Sequence, residues 1–167
     1  DEFVSRLNTV VLPLLARTGN AAYAERLDDT TIFRAESSRA KLLAGATIDT
    51  DMPGVKFYEK EYAYDGDEST FFCTPYSDLE GEHFTVTLDS PAHTRRVAVV
   101  FDDSKEYPHG AVLEASADGK TCYKVADEVK GGRMEARFKT RRKVKALRLT
   151  LTREQQNRLT IREFHFR

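Results

Sequence analysis

The residues best suited to chemistry lie in one short stretch, Ala63-Tyr64-Asp65-Gly66-Asp67-Glu68-Ser69-Thr70. Carboxylates, a glycine and hydroxyls packed this closely suit a loop that wraps a hard cation in carboxylate, carbonyl and hydroxyl oxygens. The twelve-residue spacing and closing Glu of an EF-hand are absent. The same residues also suit a tight turn with Asx-type hydrogen bonds, and from the stretch alone both readings stay open. A second candidate ligand is Glu163. Leu159 and Ile161 lie in one strand phase, Phe164 and Phe166 in the other. The strand therefore changes face near Arg162-Glu163, where a β-bulge would re-aim a side chain.

Catalytic constellations are missing. The sequence holds no Ser-His-Asp arrangement, P-loop or HExxH pattern. Its acids cluster in one turn-rich segment, so no pair of carboxylates is placed for glycoside hydrolysis. His83 and His93 read as surface residues and His165 as a strand residue beside Phe164 and Phe166. Cys73 and Cys122 are too few for a disulfide framework or a four-ligand zinc site. One bridge or two free thiols both fit.

The elements that must position these residues follow from composition and periodicity. The chain has 167 residues, 40 % apolar and 32 % charged, with 26 Lys+Arg against 27 Asp+Glu. That is a globular composition with room for one domain and an appendage. No apolar run approaches the roughly 18 residues of a membrane span. Asp1-Glu2-Phe3 shows neither an initiator Met nor a signal-peptide pattern, so the chain reads as a piece of something longer.

The near-zero net charge hides an asymmetry. No Lys or Arg occurs from Glu61 to Thr94, whereas Glu128 to Arg167 carries 13 Lys+Arg against 4 acids. The run Lys139-Thr140-Arg141-Arg142-Lys143-Val144-Lys145 reads as a turn leading into a solvated strand edge that discourages sheet-to-sheet pairing. It lacks interleaved aromatics and any reading motif, so nucleic acid is not an expected partner.

Residues 1–42 read as a helical linker or the end of a preceding domain. Phe3, Leu7, Val10, Leu14 and Leu15 fall near helical spacing, Pro13 interrupts them, and Asp28-Asp29-Thr30-Thr31 offers N-cap chemistry for a second helix. From Leu43 to Arg167 the texture is short strands and turns. Phe84, Val86 and Leu88 alternate; Val97-Ala98-Val99-Val100-Phe101 has the length of a buried strand; Leu147, Leu149 and Leu151 alternate again. Asp118-Gly119 and Gly131-Gly132 mark turns between apolar segments. Regular short strands of this kind predict an all-β sandwich or barrel.

Three segments in order then resemble one family. Ala63-Tyr64-Asp65-Gly66-Asp67-Glu68-Ser69-Thr70, Ser116-Ala117-Asp118-Gly119-Lys120 and Ile161-Arg162-Glu163-Phe164-His165-Phe166 occur as they do in discoidin domains, the coagulation factor V/VIII type C modules. That group includes the family 32 carbohydrate-binding modules of bacterial glycoside hydrolases. Leu42-Leu43-Ala44-Gly45-Ala46-Thr47-Ile48 looks like their opening strand. The resemblance implies an eight-stranded, galactose-binding-domain-like jelly roll over 43–167, with loops at one end forming the binding face.

It also implies a structural calcium held by the backbone carbonyl of Tyr62 with Asp65, Asp67, Thr70 and Glu163. The sugar site matches less literally. Galactose-binding relatives often carry Trp-His-Thr after the Ser-Thr pair, where this chain has Phe72-Cys73-Thr74-Pro75-Tyr76. The Arg that they place before the Asp-Gly strand falls near Tyr107-Pro108-His109. With no Trp in the chain, stacking falls to Tyr76, Tyr107, Phe57 and Tyr58, with Lys105 and His109 as polar neighbours.

The implied function is a non-catalytic carbohydrate-binding module of a larger glycoside hydrolase, of the chitobiase or hexosaminidase kind. Its partners would be a glycan of galactose or N-acetylhexosamine type and the parent's catalytic domain. The implied location is secreted, periplasmic or at the cell surface. The alternative is a structural jelly roll that packs on the catalytic domain and binds no sugar.

Overall fold

The computed structural model describes residues 41–75, 79–102 and 106–167. The expected helical lead lies outside these apart from its last two positions, and so do Tyr76 and Lys105. Leu42–Arg167 forms one compact unit. Its first strand does not open at Leu42. Residues 41–44 are helical, and the turn ends at Gly45, whose N–H donates to the Leu42 carbonyl at 3.1 Å.

Among the described residues seven strands follow: β1 (Ala46–Thr50), β2 (Phe72–Cys73), β3 (His83–Phe101), β4 (Ala111–Ser116), β5 (Cys122–Ala126), β6 (Arg133–Leu151) and β7 (Thr160–Phe166), with a 3-10 helix at Lys60–Tyr64. The sheet order is β2-β7-β3-β6-β4-β5, with β1 also on β3. The two longest strands, β3 and β6, have 19 residues each and serve two layers. Residues 83–88 of β3 pair with β1 and with 146–150 of β6, whereas 96–100 pair with β7 and with 133–137 of β6. One layer is thus β1-β3-β6-β4-β5 and the other β2-β7-β3-β6. Seven continuous strands build the sandwich because two of them pass through both layers.

Strand alternation sets the core, as the sequence suggested. Phe84, Val86, Leu113, Leu147 and Leu149 point inward from the first layer; Phe72, Val97, Val99, Met134 and Phe164 meet them from the second. Phe84 joins the layers. Its ring lies 5.3 Å from that of Phe164, nearly parallel, and 5.1 Å from that of Phe72. Burying each such ring contributes about 1.5–3 kcal/mol.

The expected turns form for identifiable reasons. In the β4-β5 hairpin the Asp118 carboxylate accepts from the N–H groups of Lys120 and Thr121, both at 2.8 Å, and from the Ser116 hydroxyl at 2.9 Å. These donors hold Asp118 below the usual carboxylate range. Gly119 takes the left-handed φ of 81° that the turn requires. The β7 bulge also forms. Val100 faces Glu163 and Phe101 faces Ile161, which leaves Arg162 unmatched.

The loops gather at one end of the sandwich. Thr74 N–H donates to Leu159 O, Thr160 N–H to Glu106 O and Thr152 N–H to Gly110 O, at 2.9, 2.9 and 3.0 Å. The bends of β3 and β6 lie at the other end with Gly45 and Arg167, where Asp89 N–H reaches Gly45 O at 2.9 Å and Arg167 N–H reaches Arg96 O at 2.8 Å. The basic run is not a turn, as expected from sequence. It is the bend of β6, where 142–144 pair with 92–94 of β3.

Cys73 sits in β2 and Cys122 in β5, at opposite ends of the sheet order, and both are free thiols.

Candidate functional site

Two groups of side chains stand out. The first is built where the 3-10 helix delivers the chain into residues 65–70, alongside β7. Asp65 and Glu163 are both buried, at 3 % and 2 % relative exposure. Gly66 N–H donates to Glu163 Oε2 at 3.1 Å. Burial pushes the Glu163 carboxyl up to about 8; the Gly66 N–H opposes the shift, and the neighbouring Asp65 charge adds to it. Burial and Glu163 also raise the Tyr64 hydroxyl, whose ring packs edge-on against Phe166 at 5.8 Å.

The loop is internally bonded. Asp65 Oδ1 accepts from Asp67 N–H at 2.9 Å, an Asx turn, and the Thr70 hydroxyl reaches Asp65 Oδ2 at 2.9 Å. The Asp67 carboxylate is turned toward Ser69, accepting from its N–H at 2.9 Å and its hydroxyl at 2.6 Å. The Asp67 carbonyl accepts from Thr70 N–H at 3.1 Å. Tyr62 sits within the 3-10 helix, its own N–H on the Glu59 carbonyl at 3.0 Å. The tight-turn reading of this loop therefore holds.

Among the described residues no three of His, Cys, Asp and Glu converge as a metal cluster. What converges is a pair of buried carboxylates beside hydroxyl and carbonyl oxygens. Like charges buried together are costly unless one is protonated or a cation lies between them.

The second group lies at the loop end. Tyr107 and His109 stand with ring centroids 5.3 Å apart, tilted by 50°. They line a hollow of about 450 Å³ with Gly110, Asp127, Glu128 and Arg153. Buried Gln155 ties its two loops together: its Oε1 accepts from His109 N–H at 2.8 Å, and its Nε2 donates to Arg153 O at 2.7 Å. The Arg153 side chain packs against Gly110, where a Cβ would collide with its Nε, Cγ and Cδ. The two acids of the hollow already have cations, Asp127 with Lys124 and Glu128 with Lys130, each at 2.8 Å.

Sequence reading missed Arg153 and Gln155. No local pattern marks them, because they reach Tyr107 and His109 only through the convergence of two loops some forty-six positions apart.

Phe57 and Tyr58 belong to a different loop, and Tyr58 lines a different hollow, of about 310 Å³. Phe57 is 73 % exposed and holds φ at 74°. Lys56 Nζ lies 5.0 Å above its ring. Tyr58 stacks on Phe71 at 4.7 Å, and the Arg162 guanidinium covers Phe71 at 5.4 Å while it pairs with Asp102. Cys73 faces the interior at 1 % exposure, so it does not present a polar group where relatives place a His.

A model of the F5/8 type C domain matches residues 43–164. The chain belongs to that family. This F5/8 type C domain is similar in fold to a CBM32 module of a family 31 glycoside hydrolase from Clostridium perfringens, at 20 % identity and TM-score 0.60, covering 71 % of this chain and 91 % of that one. It is similar to the family 32 module of C. perfringens NanJ, solved with galactose, at 17 % identity and TM-score 0.57, covering 71 % and 90 %. It is also similar to chitosan-binding module 2 of a chitosanase/glucanase from Paenibacillus sp. IK-5, solved with chitotriose, at 18 % identity and TM-score 0.59, covering 72 % and 95 %. No curated protein matches it. No helix among the described residues of this F5/8 type C domain is long and apolar enough to cross a membrane.

Proposed function

We propose that this domain is a non-catalytic carbohydrate-binding module of a larger, secreted glycoside hydrolase. The carrying observation is the loop-end hollow in which one buried glutamine ties the backbone of His109 to that of Arg153, beside Tyr107. A sugar ring needs an apolar face to stack on and a few fixed donors at its rim. Tyr107 supplies the face; Arg153 and His109 supply the rim. Relatives of the same fold, solved with galactose and with chitotriose, support a glycan as ligand. Phe57 and Tyr58 would form a second stacking point. Weak binding would serve by tethering, raising the local concentration of a catalytic domain on its substrate. In this reading the parent acts in the periplasm, at the cell surface or outside the cell.

A calcium ion belongs to the same reading. Glu163, Asp65 and the Thr70 hydroxyl, with the carbonyls of Tyr62 and Asp67, would hold it and fasten the loop to β7. Asp67 would turn its carbonyl to the ion in exchange for the bonds it accepts from Thr70, its carboxylate staying with Ser69.

One observation favours the structural alternative. Tyr107 is half-buried and packs partly against the core, so part of its ring is already used. Calorimetric titration with galactose, N-acetylgalactosamine, N-acetylglucosamine and chitotriose separates the two. The module reading expects millimolar or tighter binding that Arg153→Ala and Tyr107→Ala weaken; no heat with any of them supports the structural role.

A further inference from the structure

The bend of β6, at the end of the sandwich away from the loops, carries a concentration of charge that the glycan site does not use. In the β3-β6 ladder Arg96 faces Arg137 and Thr94 faces Arg142. The four residues Phe138–Arg141 therefore stand opposite Arg95 alone, and β6 bulges away from the sheet. A bulge re-aims side chains and tends to mark a functional position. This one exposes Lys139 and Arg141, with Arg142 and Lys143 following and Arg95 across the ladder; all five are exposed.

Local acids do not neutralise them. Glu135 is taken by Arg96 and Arg137, and Asp118 is spent on its own turn. Among the described residues none of these five cations forms an ion pair. A single charge on an open edge is enough to block strand pairing. Five cations with no ion-pair partner among the described residues repel one another and lower stability, so edge protection does not account for their number.

We propose that this bulge is a docking point for an anionic polysaccharide, a linear polymer of sulfate, phosphate or carboxylate groups, separate from the loop-end hollow. Charge selects a polyanion. Among the described residues the bend offers no apolar anchor for a lipid bilayer, since the exposed large hydrophobics are Val55, Phe57, Tyr58, Leu79 and Tyr123, none of them in the bend. No free aromatic face selects against single-stranded nucleic acid, because Phe138 is half-buried under the Arg142 guanidinium at 5.6 Å.

The test is titration of the 167-residue chain with dextran sulfate, uncharged dextran and duplex DNA over a series of salt concentrations. Expected are binding to dextran sulfate that weakens steeply with salt, none to dextran, and weaker binding to DNA at equal charge. The variant K139Q/R141Q/R142Q/K143Q should bind dextran sulfate at least about tenfold more weakly, as loss of several salt-dependent ion contacts requires. Its melting temperature should stay or rise; the milder R95Q/R141Q gives a smaller loss of binding should the quadruple variant misfold. R153A should bind dextran sulfate as the parent does, so failure here and failure at the sugar site are read separately. Dextran sulfate binding that is absent at low salt, unchanged in the bend variants or matched by DNA overturns the proposal.

Discussion

The N–H of Gly66 donates to Oε2 of Glu163 at 3.1 Å, across 97 positions of sequence. This bond fastens the Asp65–Thr70 loop to the bulge of β7 and holds a carboxyl in the interior next to Asp65. Two of the most chemically suggestive sequence features, a loop of carboxylates and a phase break in the last strand, are one site in space.

That site should be pH-sensitive. The folded Glu163 titrates at about 8 against an ordinary 4.5. Folded protein keeps this proton while the unfolded chain has released it, so the contribution is fully present below about 4.5 and is lost as pH rises to about 8. Calcium favours the ionised form, so its stabilisation should grow across the same window. Thermal melts of metal-free protein at pH 5 and pH 8, with and without calcium, check this. Glu163→Gln should flatten the pH dependence and remove the calcium response; a melting temperature at pH 8 that ignores calcium speaks against the cation.

The sandwich should depend on Phe84. It touches Phe164 and Phe72 of the facing layer, so Phe84→Ala opens a cavity between the sheets and should cost about 3–5 kcal/mol in urea unfolding. A loss below about 1 kcal/mol contradicts a core centred on this contact.

Arg153 and Gly110 should act together. A methyl at Gly110 meets Arg153 Nε, Cγ and Cδ, but these belong to one exposed, flexible side chain that can swing away as a whole. Gly110→Ala should therefore leave the melting temperature nearly unchanged while lowering sugar affinity as Arg153→Ala does. The double variant should bind no more weakly than either single one, because both remove the same interaction.

Phe57 is held at φ 74° with 73 % of its surface exposed. A left-handed conformation costs a non-glycine residue about 1–2 kcal/mol. Phe57→Gly relieves that strain and forfeits little packing, so stability should rise or hold while glycan affinity falls if the ring stacks on sugar. A clear drop in melting temperature would show that the ring supports the fold.

The thiols should differ in their masking. Burial and the Glu114 charge raise the Cys122 thiol, so it should alkylate more slowly than a free cysteine at pH 8. Cys73, at 1 % exposure, should react only on unfolding. Mass spectrometry after timed iodoacetamide treatment reads both.

Much of the fold was legible in the residues. The inward faces of β3 and β6 followed from alternation at Phe84, Val86, Leu147 and Leu149, the β4-β5 hairpin from Asp118-Gly119, and the bulge from the phase change at Glu163. The opening strand was misplaced, because Leu42-Leu43-Ala44 is apolar enough for either a strand or a helical turn and Gly45 decides by ending the turn. The basic run was legible as exposed, but its bulge was not, since a register shift exists only relative to a partner strand.

By itself the sequence determined the periodicity of the strands, the turn chemistry and the residue types of the Asp65–Thr70 loop, all of which are short-range properties of the chain. Tertiary structure decided which of those residues meet. It set Tyr107 and His109 in one hollow and Tyr58 in another, brought Arg153 over Gly110 beside Tyr107 and His109, and turned the Asp67 carboxylate toward Ser69. The reason is physical: β3 and β6 fold back through both layers, so neighbours at the loop end are set by long-range pairing that no local pattern encodes.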